Sequence, residues 1–327
     1  MPAYFPLTPG QRGEAIRDLQ RRLSAAGFVP AATTAGEFCA GTQAAVHAFQ
    51  VARGLHADGI CDENTWTALV EASWRFGDRL LLLTLPNLRG DDVADLQSRL
   101  ARLGFDCGRV DGIFGPRTAR ALADFQSNCG LVADGVCGPD TVRAIERVSS
   151  QTGDGPGVAT VRERERLRIG LGSIGHCRLV LGQFGGLSAL TRTLARELRQ
   201  LGATVMPLDE PDPVAQALAA NQFGAHAYLG FESHPEQVAT AFYYKVPTFE
   251  SVGGRALAEA LVGELLHVPS IAPLSPTACG MRLPVLRETR MPAVLLAIGP
   301  ARLATDATPQ VTAAVLQALD LWILRSG

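Results

Sequence analysis

Two small all-α three-helix bundles followed by a three-layer α/β domain is the fold class this sequence predicts. Two observations carry that prediction. One helical unit is written twice between residues 9 and 149, and from residue 166 to 325 short apolar runs alternate with helical stripes. A third observation separates the two regions: residues 150–165 begin Ser-Gln-Thr-Gly-Asp-Gly-Pro-Gly, which is linker composition. The Arg/Glu alternation from Val161 to Arg168 reads as a solvated charged face.

The first copy, residues 9–76, holds Gly13-Glu-Ala-Ile-Arg-Asp-Leu-Gln-Arg-Arg-Leu23 and then Gly27-Phe28. The second, residues 86–149, holds Gly90-Asp-Asp-Val-Ala-Asp-Leu-Gln-Ser-Arg-Leu100 and then Gly104-Phe105. Ile16, Leu19 and Leu23, like Val93, Leu96 and Leu100, have the spacing of one helix face. Gly27 and Gly104 fall where such a helix stops. Val46 with Phe49, and Leu122 with Phe125, mark a second helix. Trp66, Leu69 and Val70 mark a third, answered by Val142, Ile145 and Val148. Asp58-Gly59 and Asp134-Gly135 supply turns between helices.

In the last half, Leu167 to Leu171 reads as a strand and Gly172 to Gly175 as a turn. Leu187, Leu190, Leu194, Leu198 and Leu201 form a helical stripe, and Ala203 to Leu208 reads as a strand. A helix is expected over Pro211 to Phe223, strands over Ala225 to Phe231 and Ala239 to Val246, and a helix over Ser251 to His267. Pro292 to Ile298 is a branched apolar run bounded by Pro and Gly, the pattern of a strand buried on both faces. Pro309 to Leu324 closes with a helix. Leu283 to Arg290 mixes apolar residues with Arg287 and Arg290, which places both arginines at a surface or cleft.

An apolar fraction of 47% can build sizeable cores, and a formal charge of −2 offers no case for nucleic acid, which needs a basic face. The N-terminus lacks a basic region and a long apolar core, so no signal peptide is read and a cytoplasmic protein is expected. No run is long enough for a transmembrane segment. The seven cysteines are odd in number and contain no Cys-x-x-Cys pair, so they read as buried free thiols.

The repeated unit resembles the peptidoglycan-binding domain of the PGBD type. The second copy is the closer, with Val110-Asp-Gly-Ile-Phe-Gly-Pro116; the first has Thr34-Ala-Gly-Glu-Phe-Cys-Ala40. The resemblance makes Asp111, Asp134, Gln126, Asp58 and Gln50 candidate binding residues, with Arg287 and Arg290 added from the last domain. The alternative is that the Asp and Gln side chains fix turns and helix ends.

The segment Leu286-Arg-Glu-Thr-Arg-Met-Pro-Ala-Val-Leu-Leu-Ala-Ile-Gly299 resembles one in the zinc-dependent N-acetylmuramoyl-L-alanine amidases (amidase_3), and so does the element order from 166 to 325. That family holds zinc with a His, a Glu and a second His, and a further Glu acts as general base. Carried over residue by residue, the resemblance puts Ser173 at the first His, Gln183 near the Glu, Glu232 at the second His and Ala297 at the base. A hydroxyl, an amide, a carboxylate and a methyl do not make a catalytic zinc site. The expectation is a pseudoenzyme with no cofactor; the alternative is zinc in a slipped site built from His176, His234 and Glu232.

Two such modules ahead of a degenerate amidase domain resemble an actinobacterial family of amidase-like cytoplasmic proteins. That resemblance implies regulation of peptidoglycan precursor synthesis, with peptidoglycan or its precursors and the UDP-N-acetylglucosamine enolpyruvyl transferase as partners.

Overall fold

The computed structural model describes residues 5–31, 34–149, 172–247 and 249–325. The chain divides into two compact units near residue 160. The strand expected at Leu167 to Leu171, the linker and the charged stretch after it lie outside the described residues.

The first unit holds both copies of the repeat. Helices α1 (Glu14–Ala25), α2 (Ala40–Arg53) and α3 (Glu63–Ala72) form one bundle; α4 (Asp91–Arg102), α5 (Pro116–Asn128) and α6 (Pro139–Ser149) form the next. Ile16, Leu19, Leu23, Val46, Phe49 and Leu69 are buried in the first core, and Val93, Leu96, Leu100, Leu122, Phe125 and Ile145 in the second. Gly27 and Gly104, with φ of 89° and 93°, turn the chain after the first helix of each bundle. The Phe that follows then meets the Phe of the Phe-Gln pair edge to face. Phe28 lies 5.4 Å from Phe49, and Phe105 5.6 Å from Phe125.

Short antiparallel bridges, Leu7 to Cys61 and Leu81 to Cys137, close the two bundles. Leu7 and Leu81 are core residues, so each module starts a few residues earlier than the repeat suggests, and Phe76 packs against the second core. Cys61, Cys107, Cys137 and Cys177 are buried thiols as expected; Cys129 and Cys279 are exposed, which corrects that reading for these two.

The second unit is a seven-stranded sheet: β1 (Arg178–Phe184), β2 (Thr204–Leu208), β3 (Ala227–Ser233), β4 (Val238–Val246), β5 (Phe249–Glu250), β6 (Thr277–Met281) and β7 (Ala293–Gly299). Its order is β2-β1-β3-β7-β4-β5, with β6 also on β4. The strands β2, β1, β3 and β7 are parallel, and β4 runs antiparallel to β7. Helices α7 (Ser188–Gln200), α9 (Val252–Leu265) and α12 (Thr308–Arg325) join alternate residues of β1, β3 and β7 in one core. The indole of Trp322 donates to Gly253 O at 3.1 Å and ties α12 to α9. Helices α8 (Pro213–Phe223) and α10 (Pro284–Glu288) pack together, while the short α11 (Ala301–Asp306) follows β7.

The first strand among the described residues is Arg178–Phe184, a run the sequence reading passed over. Beneath α8, Gly182 leaves room for a buried pair in which the Tyr228 hydroxyl donates to Gln216 Oε1 at 2.7 Å. A Cβ on Gly182 would overlap both atoms. Gly182→Ala is expected to destabilise the sheet domain by about 1–3 kcal/mol through overpacking, read as a lower urea midpoint.

Candidate functional site

The strand order reverses direction between β1 and β3, and ligands of open parallel sheets bind outside the carboxyl ends of the strands at such a point. Three residues stand in register there: Phe184 on β1 opposite Glu232 on β3, and Glu232 opposite Ala297 on β7. Glu232 and Ala297 are therefore neighbours, although 65 positions apart in the chain by their numbers.

Gln183 lies at the same edge but is committed to the protein. Its amide nitrogen donates to Asp209, just past the end of β2. Its Oε1 accepts from the backbone N–H of Gly186 and Leu187, at 3.1 and 2.9 Å. Ser188 Oγ donates to the other oxygen of Asp209 at 3.3 Å. The amide thus closes the turn between β1 and α7. Gly185, with φ 82°, rests against Ser233 of β3 within that turn.

Glu232 is half-buried and has no hydrogen bond or ion pair among the described residues. Burial raises its pKa above the usual carboxylate value, with His234 pulling the other way. His234 belongs to the loop after β3: its Nδ1 accepts from Glu236 N at 3.1 Å and its own N–H donates to Ile298 O at 3.0 Å. Gly299 admits this loop, because a Cβ there would overlap the Glu236 and His234 carbonyls.

Ser173 and His176 are not part of this edge. They precede β1, in the turn around Ile174–His176, and the adjoining Cys177 O accepts from Thr204 N at the start of β2. That is the amino edge of the parallel strands. Ser173 Oγ and His176 Nδ1 lie 3.1 Å apart and meet each other instead. The alignment of Ser173 with a metal-binding histidine is corrected: Ser173 precedes β1 and lies at the opposite edge from Glu232 and Ala297. A slipped site built from His176, His234 and Glu232 is excluded for the same reason, since β1 separates His176 from the other two.

A catalytic zinc ion needs three donors and an open position. Among the described residues this edge offers the Glu232 carboxylate, the hydrogen-bonded Gln183 amide and the Ala297 methyl, with the Asp209 carboxylate engaged by Gln183 and Ser188, so these residues do not fit zinc. Among the described residues no group of three or more His, Cys, Asp or Glu side chains could hold a metal.

Arg287 is buried in α10 rather than lining a cleft, a correction to its surface placement. Arg290 is exposed; its N–H donates to Asn221 Oδ1 at 2.8 Å, and Asn221 Nδ2 donates to Glu288 O at 2.8 Å, so Asn221 clamps α8 to the end of α10.

In the modules, the expected ligand residues form a repeated bracket. Gln50 Nε2 donates towards Asp58, Ile60 O and Thr65 at 3.0, 2.8 and 3.1 Å, and its Oε1 accepts from Gly59 N at 2.8 Å. Gln126 does the same with Asp134, Val136 O, Thr141 and Gly135 N at 2.9, 3.0, 3.1 and 2.9 Å. Gln97 repeats it with Asp111, Ile113 O, Thr118 and Gly112 N. Gln20 forms a fourth with Thr42 and Gly36 N, bonding Thr34 O where the others bond an Asp, because Ala35 stands at that place. The Val136 N–H and the Gln126 amide hold the Asp134 carboxyl below its usual pKa.

These contacts occupy the Gln50 and Gln126 amides and tie one oxygen of Asp58, Asp111 and Asp134 into the turns, so each of these side chains has a structural role, while Asp58 and Asp134 remain exposed. Gln20 and Gln97 had escaped notice, although both copies carry the signal: a Leu-Gln pair before the last turn of the first helix.

These observations define a class: two peptidoglycan-binding-type bundles ahead of an amidase-like α/β sheet. Residues 12–69 and 89–145 match a family model described as a peptidoglycan binding domain. The chain is 33% identical over 330 residues to the N-acetylmuramoyl-L-alanine amidase CwlM of Mycobacterium tuberculosis, with 89% of this chain and 80% of that protein covered. It belongs to the CwlM family. It is also 34% identical over 149 residues to the amidase CwlL of Bacillus licheniformis, covering 39% of this chain and 41% of that one. Among solved structures, the amidase AmiC2 of Nostoc punctiforme aligns at 18% identity and a TM-score of 0.36, over 43% of this chain and 94% of its own.

Two outcomes follow from the side chains. Gln97→Ala leaves the Gly112 N–H without its buried acceptor and is expected to cost about 2–3 kcal/mol in urea denaturation, with a smaller loss for Asp134→Asn. Glu232 has a raised folded-state pKa, so its ionisation destabilises the fold above the ordinary carboxylate range and has no effect well below it. Glu232→Gln should therefore melt at a higher temperature than wild type at about pH 7.5, and the gap should close as the pH falls towards about 4.

Proposed function

We propose that this protein is a catalytically silent member of its family, which binds peptidoglycan or its precursors and regulates cell-wall precursor synthesis. The observation that carries the proposal is Ala297 beside Glu232 at the carboxyl edge of the sheet. A metal-activated water needs its ligands, and removing a general base alone costs about 10²–10⁴-fold in rate. Here the donor set and the base are both missing from the place where the strands bring such residues together. A domain of this kind retains shape for recognition without a nucleophile to deliver.

Peptidoglycan recognition falls to the tandem modules, in line with the family model matched by residues 12–69 and 89–145. The regulated enzyme in this reading is the UDP-N-acetylglucosamine enolpyruvyl transferase. Among the described residues no helix is long and apolar enough to cross a membrane.

The test is zinc analysis of the purified full chain beside an assay for amide cleavage of muropeptides. No stoichiometric zinc and no cleavage, with retained sedimentation on purified sacculi, is the expected result. One zinc per chain together with cleavage would overturn the proposal and install an active amidase with a rearranged site. The regulatory half is checked separately, by whether the full chain binds the purified transferase and changes its rate.

A further inference from the structure

We propose that the tandem is one rigid receptor with two equivalent ligand positions at a fixed spacing, and that its ligand is a polymer, a glycan strand of repeating units, rather than a single-unit precursor. This rests on the peptidoglycan-binding reading above and names the form of ligand taken.

The joint between the modules is built, not tethered. After α3, residues 75–78 close a turn in which Arg75 N donates to Asp78 Oδ2 at 2.9 Å and Asp78 N donates back to Arg75 O at 3.0 Å. Phe76 within that turn packs on the second module's core, with the Arg99 guanidinium 4.7 Å from its ring. Arg79 is then gripped on two sides. Its guanidinium lies 4.4 Å from the Trp74 ring centre and forms a fork with Asp92 of α4, at 2.7 and 3.1 Å, while also donating to Arg89 O at 2.7 Å.

Asp92 is 1% exposed, so releasing Arg79 would strand a buried charge. A second fastening lies away from the linker: Arg53, at the end of α2, meets Asp91, at the start of α4, at 2.6 Å. A flexible linker has none of these contacts.

The two modules are also chemically equivalent where it matters for shape. The Gln50 and Gln126 brackets use the same partners at distances within 0.2 Å of each other. A surface carried by one bracket is therefore carried again by the other, and the joint holds the offset constant. A repeating ligand can engage both positions at once, and a rigid, matched spacing turns the second contact into an intramolecular one. A monomeric precursor gains nothing from the arrangement.

The experiment titrates the full chain by calorimetry with a length series, from one disaccharide-pentapeptide to solubilised strands of many repeats. Affinity is expected to rise by at least about tenfold once a strand can reach both positions. Arg79→Ala and Arg53→Ala, which lie outside the brackets, should keep the monomer affinity and lose about threefold or more of that gain. Arg53→Ala keeps the test open if Arg79→Ala fails to fold. Binding that does not strengthen with length, or a full gain kept by both variants, overturns the rigid-receptor proposal alone. Absence of binding at every length overturns the peptidoglycan-binding reading beneath it.

Discussion

A buried glutamine amide is the constraint on which much of this chain depends. The group is neutral, yet it carries two donors and a two-lone-pair acceptor, and burial makes any unmet one expensive. Placed on a helix or strand, it compels a neighbouring loop to present a carbonyl and an N–H at fixed positions. Gln20, Gln50, Gln97 and Gln126 each do this to one loop of the helical unit, and Gln183 does it to the turn between β1 and α7. Gln216 adds a further case beneath the sheet, donating to Gln183 O at 3.2 Å and Glu210 O at 2.6 Å and accepting from Tyr228. The loops are short because the amides hold them, and the bundles are compact because the loops are short.

The same property gives polar residues that look like ligand groups a structural task. In the modules, an Asp-Gly after a Phe-Gln suggests a ligand site when read along the chain. In space the Asp is half of an acceptor set for one amide, and the Gly N–H fills the amide's other end. The repetition of the brackets from module to module gives the tandem its periodic character.

The helical region was largely legible in the sequence because each module's order is written in local signals: 3.6-residue apolar spacing, a Gly stop, a Phe-Gln pair and an Asp-Gly turn. Most of the sheet was legible too, since β3, β4 and β7 are apolar runs flanked by helical stripes. Strand β1 was missed because Arg178 to Phe184 opens on Arg and breaks its apolar run at Gly182 and Gln183, so nothing local marks it as a sheet strand. That slip misplaced Ser173 and His176 by the full length of a strand. The Glu232–Ala297 pairing is a matter of register between β3 and β7, which no periodicity encodes. It was reached only through family resemblance at each strand taken singly. Strand β6 was unread as well, since Thr277-Ala-Cys-Gly-Met281 has neither a long apolar run nor clear alternation.

The chemistry of the carboxyl edge bears on the stability of the sheet domain. A zinc site without its metal is a set of ionisable side chains held close together, and such a cluster costs stability until the ion compensates it. The hydrogen-bonded Gln183 amide and the Ala297 methyl at this edge carry no such cost. Glu232 is the half-buried carboxylate there, its pKa pushed upward by burial and drawn back by His234. The same edge carries the switch point, the Gly185-Gly186 turn and the fully buried β7.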